Sequence, residues 1–299
     1  MQVKGPEFKA GYVSIVGRPN VGKSTLLNRL IDHKISIVTR KPQTTRWQIR
    51  GIKSTADYQV IFTDTPGYQN THKDAMNRYM NREVINSLSH TDVVLFVVEA
   101  LKWGRDDALV AEVLKEVSAP TVLVINKLDL LKERAILLPY INSLKEKLSF
   151  AEIVPLSARR RRDVDLLERK IAAMLPAGEP LLPADQITDK SARFLAAEYI
   201  REKVMERLGD ELPYRVSVTI DEFNEEPALL RLSATIWVER RSHRSILIGA
   251  NGRMLKSIGA DARIELEKFF AKKVYLQTWV KTKKNWTEDI KALKTLGYD

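Results

Sequence analysis

The chain has 299 residues, 49 Lys+Arg against 38 Asp+Glu, a formal net charge of +11 and a pI near 9.6. That length suggests about two domains, and 44% hydrophobic residues are enough for packed cores, which excludes wholesale disorder. The absence of cysteine excludes disulfides, thiolate metal sites and Cys nucleophiles, and fits a reducing compartment. The longest apolar runs, such as Val93–Val98, are too short to span a bilayer. Met1–Ala10 carries charges on both sides of Pro6 and no apolar h-region, so no signal peptide is expected. The expectation is a cytoplasmic basic protein with a polyanionic partner, nucleic acid first and anionic membrane second.

In chain order, β-branched apolar runs at Tyr12–Val16, Tyr58–Thr63, Asp92–Val98, Thr121–Ile125 and Glu152–Leu156 read as strands. Helical periodicity falls between them at Lys23–Ile31, Asn77–Ser89, Asp106–Glu116, Ala135–Leu148 and Val164–Met174. This alternation predicts an α/β domain over 1–175, with a mostly parallel sheet and ligands at the carboxyl ends of its strands. Three Pro and a Gly within Leu175–Pro183 mark a linker over 176–190. The remainder, 191–299, reads as helix Ala192–Leu208, strands Tyr214–Phe223 and Leu230–Glu239, a short helix and a Gly-rich turn. Helix Arg253–Phe270, strand Val274–Val280 and a last short helix to about Leu296 follow.

Gly17-Arg18-Pro19-Asn20-Val21-Gly22-Lys23-Ser24 satisfies G-x-x-x-x-G-K-S between a predicted strand and a predicted helix, the context a phosphate-binding loop needs. Its glycines let successive N–H groups, those around Val21 through Thr25 included, curl around phosphates. Lys23 would reach the β- and γ-phosphates and Ser24 would place its hydroxyl on Mg²⁺. Asp64-Thr65-Pro66-Gly67 ends the second strand and puts Asp64 near Mg²⁺ through water and the Gly67 N–H near a γ-phosphate. Asn126-Lys127-Leu128-Asp129 ends the fourth strand. Asp129 can accept from guanine N1–H and the 2-amino group, whereas adenine would leave it mismatched. Ser157-Ala158 ends the fifth strand, with backbone N–H for guanine O6. On one sheet edge, in this order, these segments point to GTP or GDP rather than ATP.

These four segments resemble the G1, G3, G4 and G5 boxes of the translation-factor-related GTPases. With Gln43-Thr44-Thr45-Arg46 and the full loop Gly17–Ser24, they are similar to the Era family of bacterial ribosome-assembly GTPases. The resemblance implies that Thr45, with Thr44 as the alternative, joins the Mg²⁺ shell while the γ-phosphate is present, making residues 33–50 a switch loop. Tyr68 stands where Ras-type proteins carry the Gln that orients the attacking water, so intrinsic hydrolysis is expected to be slow. The resemblance also implies that Asn20 helps hold a stimulating K⁺; the other reading of Asn20 is that it only shapes the loop. Lys23, Thr45, Gly67 and Asn20 are thus the candidate catalytic set. Arg159 replaces the usual Lys after Ser-Ala, and its stem can still pack on a base.

In the second domain, Gly249-Ala250-Asn251-Gly252 lies between two helical segments, after two strands and before a third, which resembles a KH (type II) domain with an α+β fold. Such a loop closes on about four nucleotides of single-stranded RNA. Both glycines are expected because a Cβ would block the sugar-phosphate chain. Residues 240–260 hold Arg240, Arg241, Arg244, Arg253 and Lys256 without an acid. Ile248, the loop residues, Arg253, Lys256, Arg240 and Arg244 are the expected RNA contacts. Ala250 and Asn251 bring no cation, so phosphate attraction falls to the flanking residues.

A GTPase followed by a KH domain carries the family resemblance across nearly the whole chain, including Leu276–Lys281 and Leu296-Gly297-Tyr298. It implies binding near the 3′ end of 16S rRNA during 30S subunit assembly, without a stable oligomer and with weak peripheral membrane association open. Two other readings are a constitutive RNA-binding scaffold with a structural nucleotide pocket, and a peripheral membrane GTPase. The latter lacks a basic amphipathic helix with a wide apolar face or a lipidation motif. Trp279 and Trp286, among Lys281, Lys283 and Lys284, are placed to stack bases. For Trp279 the competing reading packs the strand against the last helix. Arg159–Arg162 reads as a solvated loop edge. Lys34–Lys53, with six basic residues and no acid, suggests an RNA-facing surface altered by nucleotide state. The histidines at 33, 72, 90 and 243 show no metal-ligand spacing. Ser191–Asp299 holds 20 basic and 16 acidic residues, net +4, so the charge is local rather than uniform.

Overall fold

The computed structural model describes residues 7–69, 75–133, 135–209, 215–289 and 293. The Leu296–Tyr298 resemblance, most of the expected last helix, the start of the Tyr214 strand and His72 lie outside the described residues. The chain divides into two compact units, and the second, mainly Lys190 onward, also includes Ile37–Thr44 and Ala75 and Met76, the first residues of a helix otherwise in the first unit.

The first unit runs β1 (Lys9–Val16), α1 (Lys23–Ile31), β2 (Ile49–Ser54), β3 (Tyr58–Asp64), α2 (Ala75–Leu88), β4 (Val93–Glu99) and α3 (Arg105–Leu114). It continues through β5 (Thr121–Asn126), α4 (Leu137–Lys145), β6 (Glu152–Pro155) and α5 (Arg161–Met174). The sheet order is β2-β3-β1-β4-β5-β6, parallel except for the antiparallel β2–β3 pair. The central strand β4 is buried along its whole length, as a near-continuous apolar run requires when both faces are covered. Val16, Phe96, Val98, Leu123 and Ile125 form one buried cluster with Val110, Leu114 and Leu144. The carboxyl ends of β1, β3, β4 and β5 deliver Gly17, Asp64, Glu99 and Asn126 to one sheet edge. Strand β2 falls outside the predicted elements. Only its two isoleucines are β-branched and Gly51 interrupts it, which an edge strand tolerates.

The Pro-rich stretch after α5 is held along this sheet rather than hanging free. Ala10 N donates to Pro176 O, Gly178 N to Phe8 O and Ile52 N to Ile187 O. Gln59, fully buried, accepts from Leu181 N and Leu182 N at 2.7 and 2.9 Å and donates to Leu182 O at 2.7 Å.

The second unit contains α6 (Ala192–Arg207), β7 (Val216–Glu225), β8 (Leu229–Val238), α7 (Arg241–Ile248), α8 (Arg253–Phe270) and β9 (Lys273–Thr282). Strand β8 pairs antiparallel with β7 and parallel with β9. Ser191 caps α6 by accepting from Phe194 N. Leu247, Ile258, Ala262 and Leu266 close the helical side of the sheet over Val216, Ala234, Ile236 and Val280. No described helix is long and apolar enough to cross a membrane.

Replacing Gln59 by Ala leaves the amides of Leu181 and Leu182 without their buried acceptor, at a cost of roughly 1–3 kcal/mol. Hydrogen exchange should accelerate at those amides before the sheet opens, and denaturant titration should show the lost stability.

Candidate functional site

The loop after β1 turns into α1 through Gly22, which sits at φ +100°, a left-handed conformation that favours glycine. A Cβ there would lie 2.4 Å from Asn126 Nδ2. The Asn126 amide explains the constraint: its Nδ2 donates to Val21 O at 2.8 Å, and its Oδ1 accepts from Lys127 N at 2.7 Å and Ala158 N at 2.9 Å. One buried side chain thereby ties together the loops after β1, β5 and β6.

Lys23 is buried, and its Nζ donates to Gly17 O and Arg18 O, both at 3.0 Å. Burial pulls its pKa down to about 8, with Asp64 acting in the opposite sense. Ser24 Oγ donates to Asp64 Oδ2 at 2.7 Å and lies 2.8 Å from Thr45 Oγ1, which is itself 3.3 Å from the same carboxylate oxygen. The other oxygen, Asp64 Oδ1, is buried with no hydrogen-bond partner. Burial raises the Asp64 pKa, against the pull of Lys23 and the three hydroxyls. Two hydroxyls and an incompletely satisfied carboxylate are hard oxygen donors of the kind Mg²⁺ takes, so the residues present fit that ion. Thr25 is half-buried in the first turn of α1.

Two residues of this cluster escape sequence reading. Ser36 Oγ donates to Asp64 Oδ2 at 2.9 Å. Asn28, one turn beyond Ser24 on α1, accepts from Ile35 N and Ser36 N at 3.0 Å each and donates to Ser36 O at 2.6 Å. Neither belongs to a contiguous motif; the only signal is an Asn five residues after the phosphate-loop Lys.

Gly67 lies against the loop after β1, where a Cβ would meet Pro19 N at 2.6 Å, and Tyr68 N donates to Gly17 O. The Tyr68 ring packs against the apolar cluster around Phe96. Asn20 is exposed at the loop rim with φ +63°, a conformation Asn tolerates well.

Asp129 sits on a short 3₁₀ turn after β5, and its Oδ1 accepts from Ser157 Oγ at 2.6 Å. That hydroxyl leads the causes holding its carboxyl below the usual range. Lys127 Nζ donates to Glu99 at 2.7 Å. The Ser157 and Ala158 amides already donate to Asp163 and Asn126, so contact with a base oxygen requires exchanging those partners.

In the second unit, Gly249 (φ +68°) and Gly252 (φ +74°) both need left-handed backbone, but their surroundings differ. A Cβ on Gly249 would strike Met254 at 2.7 Å, whereas one on Gly252 meets nothing within 4 Å. Gly249 is thus constrained by Met254 of the following helix α8, whereas the space beside Gly252 is open and only its backbone angle calls for glycine. Ala250, Asn251, Arg240, Arg241, Arg244, Arg253 and Lys256 are exposed around this turn, and Ile248 is half-buried.

Three expectations change. Trp286 is fully buried and offers no ring for stacking, while Trp279 is 52% exposed. The Lys34–Lys53 stretch is not one basic surface, because Arg46 is fully buried and Lys53 pairs with Asp32 at 2.7 Å. Of the Arg159–Arg162 run, Arg159, Arg160 and Arg162 are exposed as expected of a solvated edge, and only Arg161 departs, half-buried and paired with Asp32, Asp165 and Glu168. Among the described residues, no cluster of three or more His, Cys, Asp or Glu side chains could hold a metal.

Phosphate loop, carboxylate switch strand and guanine-type Asn-Lys-x-Asp turn on one α/β sheet define a P-loop GTPase, here joined to a KH domain. The family described as 50S ribosome-binding GTPase matches residues 12–127, and the KH domain family matches residues 211–287. GTPase Era of Marinobacter nauticus is 48% identical over 98% of this chain and 96% of its own, and GTPase Era of Pseudomonas aeruginosa is 48% identical over 97% and 95%. A crystal structure of Era with MgGDPNP and nucleotides 1506–1542 of 16S ribosomal RNA is similar at TM-score 0.94 and 39% identity, covering 97% of this chain and 99% of that one. Aquifex aeolicus Era bound to GDP.AlF4- is similar at TM-score 0.92 and 39% identity, over 97% and 99%. The chain belongs to the Era family: it is a GTPase with a KH domain.

Replacing Gly22 by Ala forces a left-handed Ala, costing roughly 1–2 kcal/mol, and displaces the Asn126 amide from Val21. Titration with a fluorescent GDP analogue should show an affinity loss of about tenfold or more.

Proposed function

We propose that GTP binding and hydrolysis in the first unit govern RNA binding by the KH domain, and that the RNA is the 3′-end region of 16S rRNA in the assembling 30S subunit. The observation that carries the nucleotide part is the convergence of Ser24, Thr45 and Asp64, from three separate segments, beside the buried Lys23 amine. Lys23 exchanges its two carbonyl partners for β- and γ-phosphate oxygens, while the N–H groups from Asn20 to Thr25 line the phosphate chain. Ser24, Thr45 and Asp64 are the residues that would hold Mg²⁺. That ion would supply positive charge to neutralise the phosphates. Gly67 offers its N–H to the γ-phosphate, and Thr45 with Gly67 senses whether that phosphate is present. Asn126 holds the base pocket and Asp129, kept ionised by Ser157, pairs with guanine. The Lys127 stem lines the base, and Ser157 and Ala158 form its O6 side.

Tyr68 packs against the apolar cluster and lacks the carboxamide with which Gln orients water, so hydrolysis is slow without help. Asn20 is assigned to hold a K⁺ that adds positive charge beside the phosphates. On the KH side, Gly252, Ala250 and Asn251 receive the RNA backbone, with Arg240, Arg244, Arg253 and Lys256 as counter-charges and Ile248 behind them. The similarity to Era solved with 16S rRNA nucleotides supports this partner. The enzyme acts in the cytoplasm, without a stable oligomer, and any membrane association is peripheral.

Measuring phosphate release with and without 16S 3′-end RNA tests the coupling. The wild type should be stimulated by RNA and by K⁺ over Na⁺, whereas Lys23→Ala should lose turnover while keeping its KH-domain fold by circular dichroism. Equal rates in K⁺ and Na⁺ would remove the role of Asn20; RNA affinity that ignores nucleotide state would remove the gating.

A further inference from the structure

The KH sheet has a second side that the GxxG loop does not use. Helices α7 and α8, which carry the loop between them, cover the face formed by Val216, Ala234, Ile236 and Val280. On the opposite face, strand β9 places Lys273, Tyr275, Gln277, Trp279 and Lys281 in alternation, all exposed, and β9 is an edge strand. Tyr275 is 48% and Trp279 52% exposed, unusual for rings that burial would reward. Their register partners on β8 are Arg231 and Thr235. Arg231 lies over the Tyr275 ring at 5.7 Å and Lys281 over the Trp237 ring at 5.8 Å. Trp237 is pinned across the face by its Nε1 donation to Thr219 at 2.9 Å, so the face is built as well as exposed.

Charge selects the occupant. Strand β9 carries no acidic residue. The carboxylates near this face belong to β7 and its turn: Asp221 bonded to Thr235, Glu222, Glu225 paired with Lys272, and Glu226 paired with Arg231 at 2.8 Å. Asp221 and Glu226 thus reach across to β8, and it is the outer edge, lined by Lys273 and Lys281, that draws a polyanion. Alternate residues on a strand recur about every 6.8 Å, so Tyr275 and Trp279 stand about 14 Å apart with a cation beyond each. Rings separated this way and flanked by Lys273 and Lys281 match an unpaired strand whose bases stack while its phosphates meet the cations.

We infer that the open face of the KH sheet, centred on Tyr275 and Trp279 along β9, is a second binding site for single-stranded RNA, on the opposite side of the sheet from the Gly249–Gly252 loop. This rests on the reading that the KH domain binds RNA, and extends it to an RNA that wraps one sheet edge.

The test compares four full-length proteins: wild type, Gly252→Asp, Tyr275→Ala with Trp279→Ala, and all three changes together, each binding RNA of 16S nucleotides 1506–1542. Both rings are exposed, so the pair should fold with an unchanged melting curve and unchanged basal GTP turnover. Removing two stacking rings should weaken RNA binding about tenfold or more, multiply with the Gly252→Asp loss, and abolish ultraviolet crosslinking to the tryptic peptide Val274–Lys281. If the ring variant binds as wild type does while Gly252→Asp binds weakly, the second site is wrong and the RNA reading stands. If wild type itself fails to bind the RNA, the RNA reading falls first. Normal binding to naked RNA with loss of binding to the 30S subunit would give the face to a ribosomal protein and overturn the proposal.

Discussion

The nucleotide end of this molecule depends on one buried carboxamide. Asn126 spends three hydrogen bonds inside the protein, giving one proton to Val21 and taking protons from Lys127 and Ala158. Three loops that are far apart in sequence therefore share one reference point. The demand for glycine at position 22 follows from it, because no Cβ fits beside that amide. So does the placement of Lys23, the next residue, as the first of α1.

A second centre is organised by charge. Asp64 gathers three hydroxyls on one oxygen and leaves the other buried and unsatisfied. Burial opposes ionisation of both this carboxylate and the neighbouring Lys23, and each partly relieves the other. The arrangement is costly in the isolated protein and is relieved by a ligand that brings both negative phosphate and positive counter-charge. Asn28 and Ser36 tie the start of the switch segment into that centre.

How much of this was legible in the sequence depends on whether a constraint is local. Gly17–Ser24, Asp64–Gly67 and Asn126–Asp129 advertise themselves because a backbone that curls around phosphate, or a carboxylate at a strand end, must be written in consecutive residues. Asn28 and Ser36 meet only through the fold, so neither spacing nor periodicity marks them. Strand β2 is missed because its partners, and not its own six residues, make it a strand. The two tryptophans part for a similar reason: lysines around Trp286 suggest solvent, yet the fold buries it, whereas the alternation of β9 turns Trp279 outward. Gly249 and Gly252 look equivalent in a motif and differ only in what stands beside them.

The return path after α5 also settles a problem of open sheets. Strand β2 is an outermost strand, and its unpaired backbone groups would offer a template to any passing extended chain. Residues 187 and 188 cover that flank, with Ile187 O on Ile52 N and Thr188 bridged to Gly51. The α/β core is thereby sealed on this side by a segment that composition alone marks as a spacer. A fragment cut after Met174 would carry a raw, self-complementary border, while one cut at Asp189 would keep its hem.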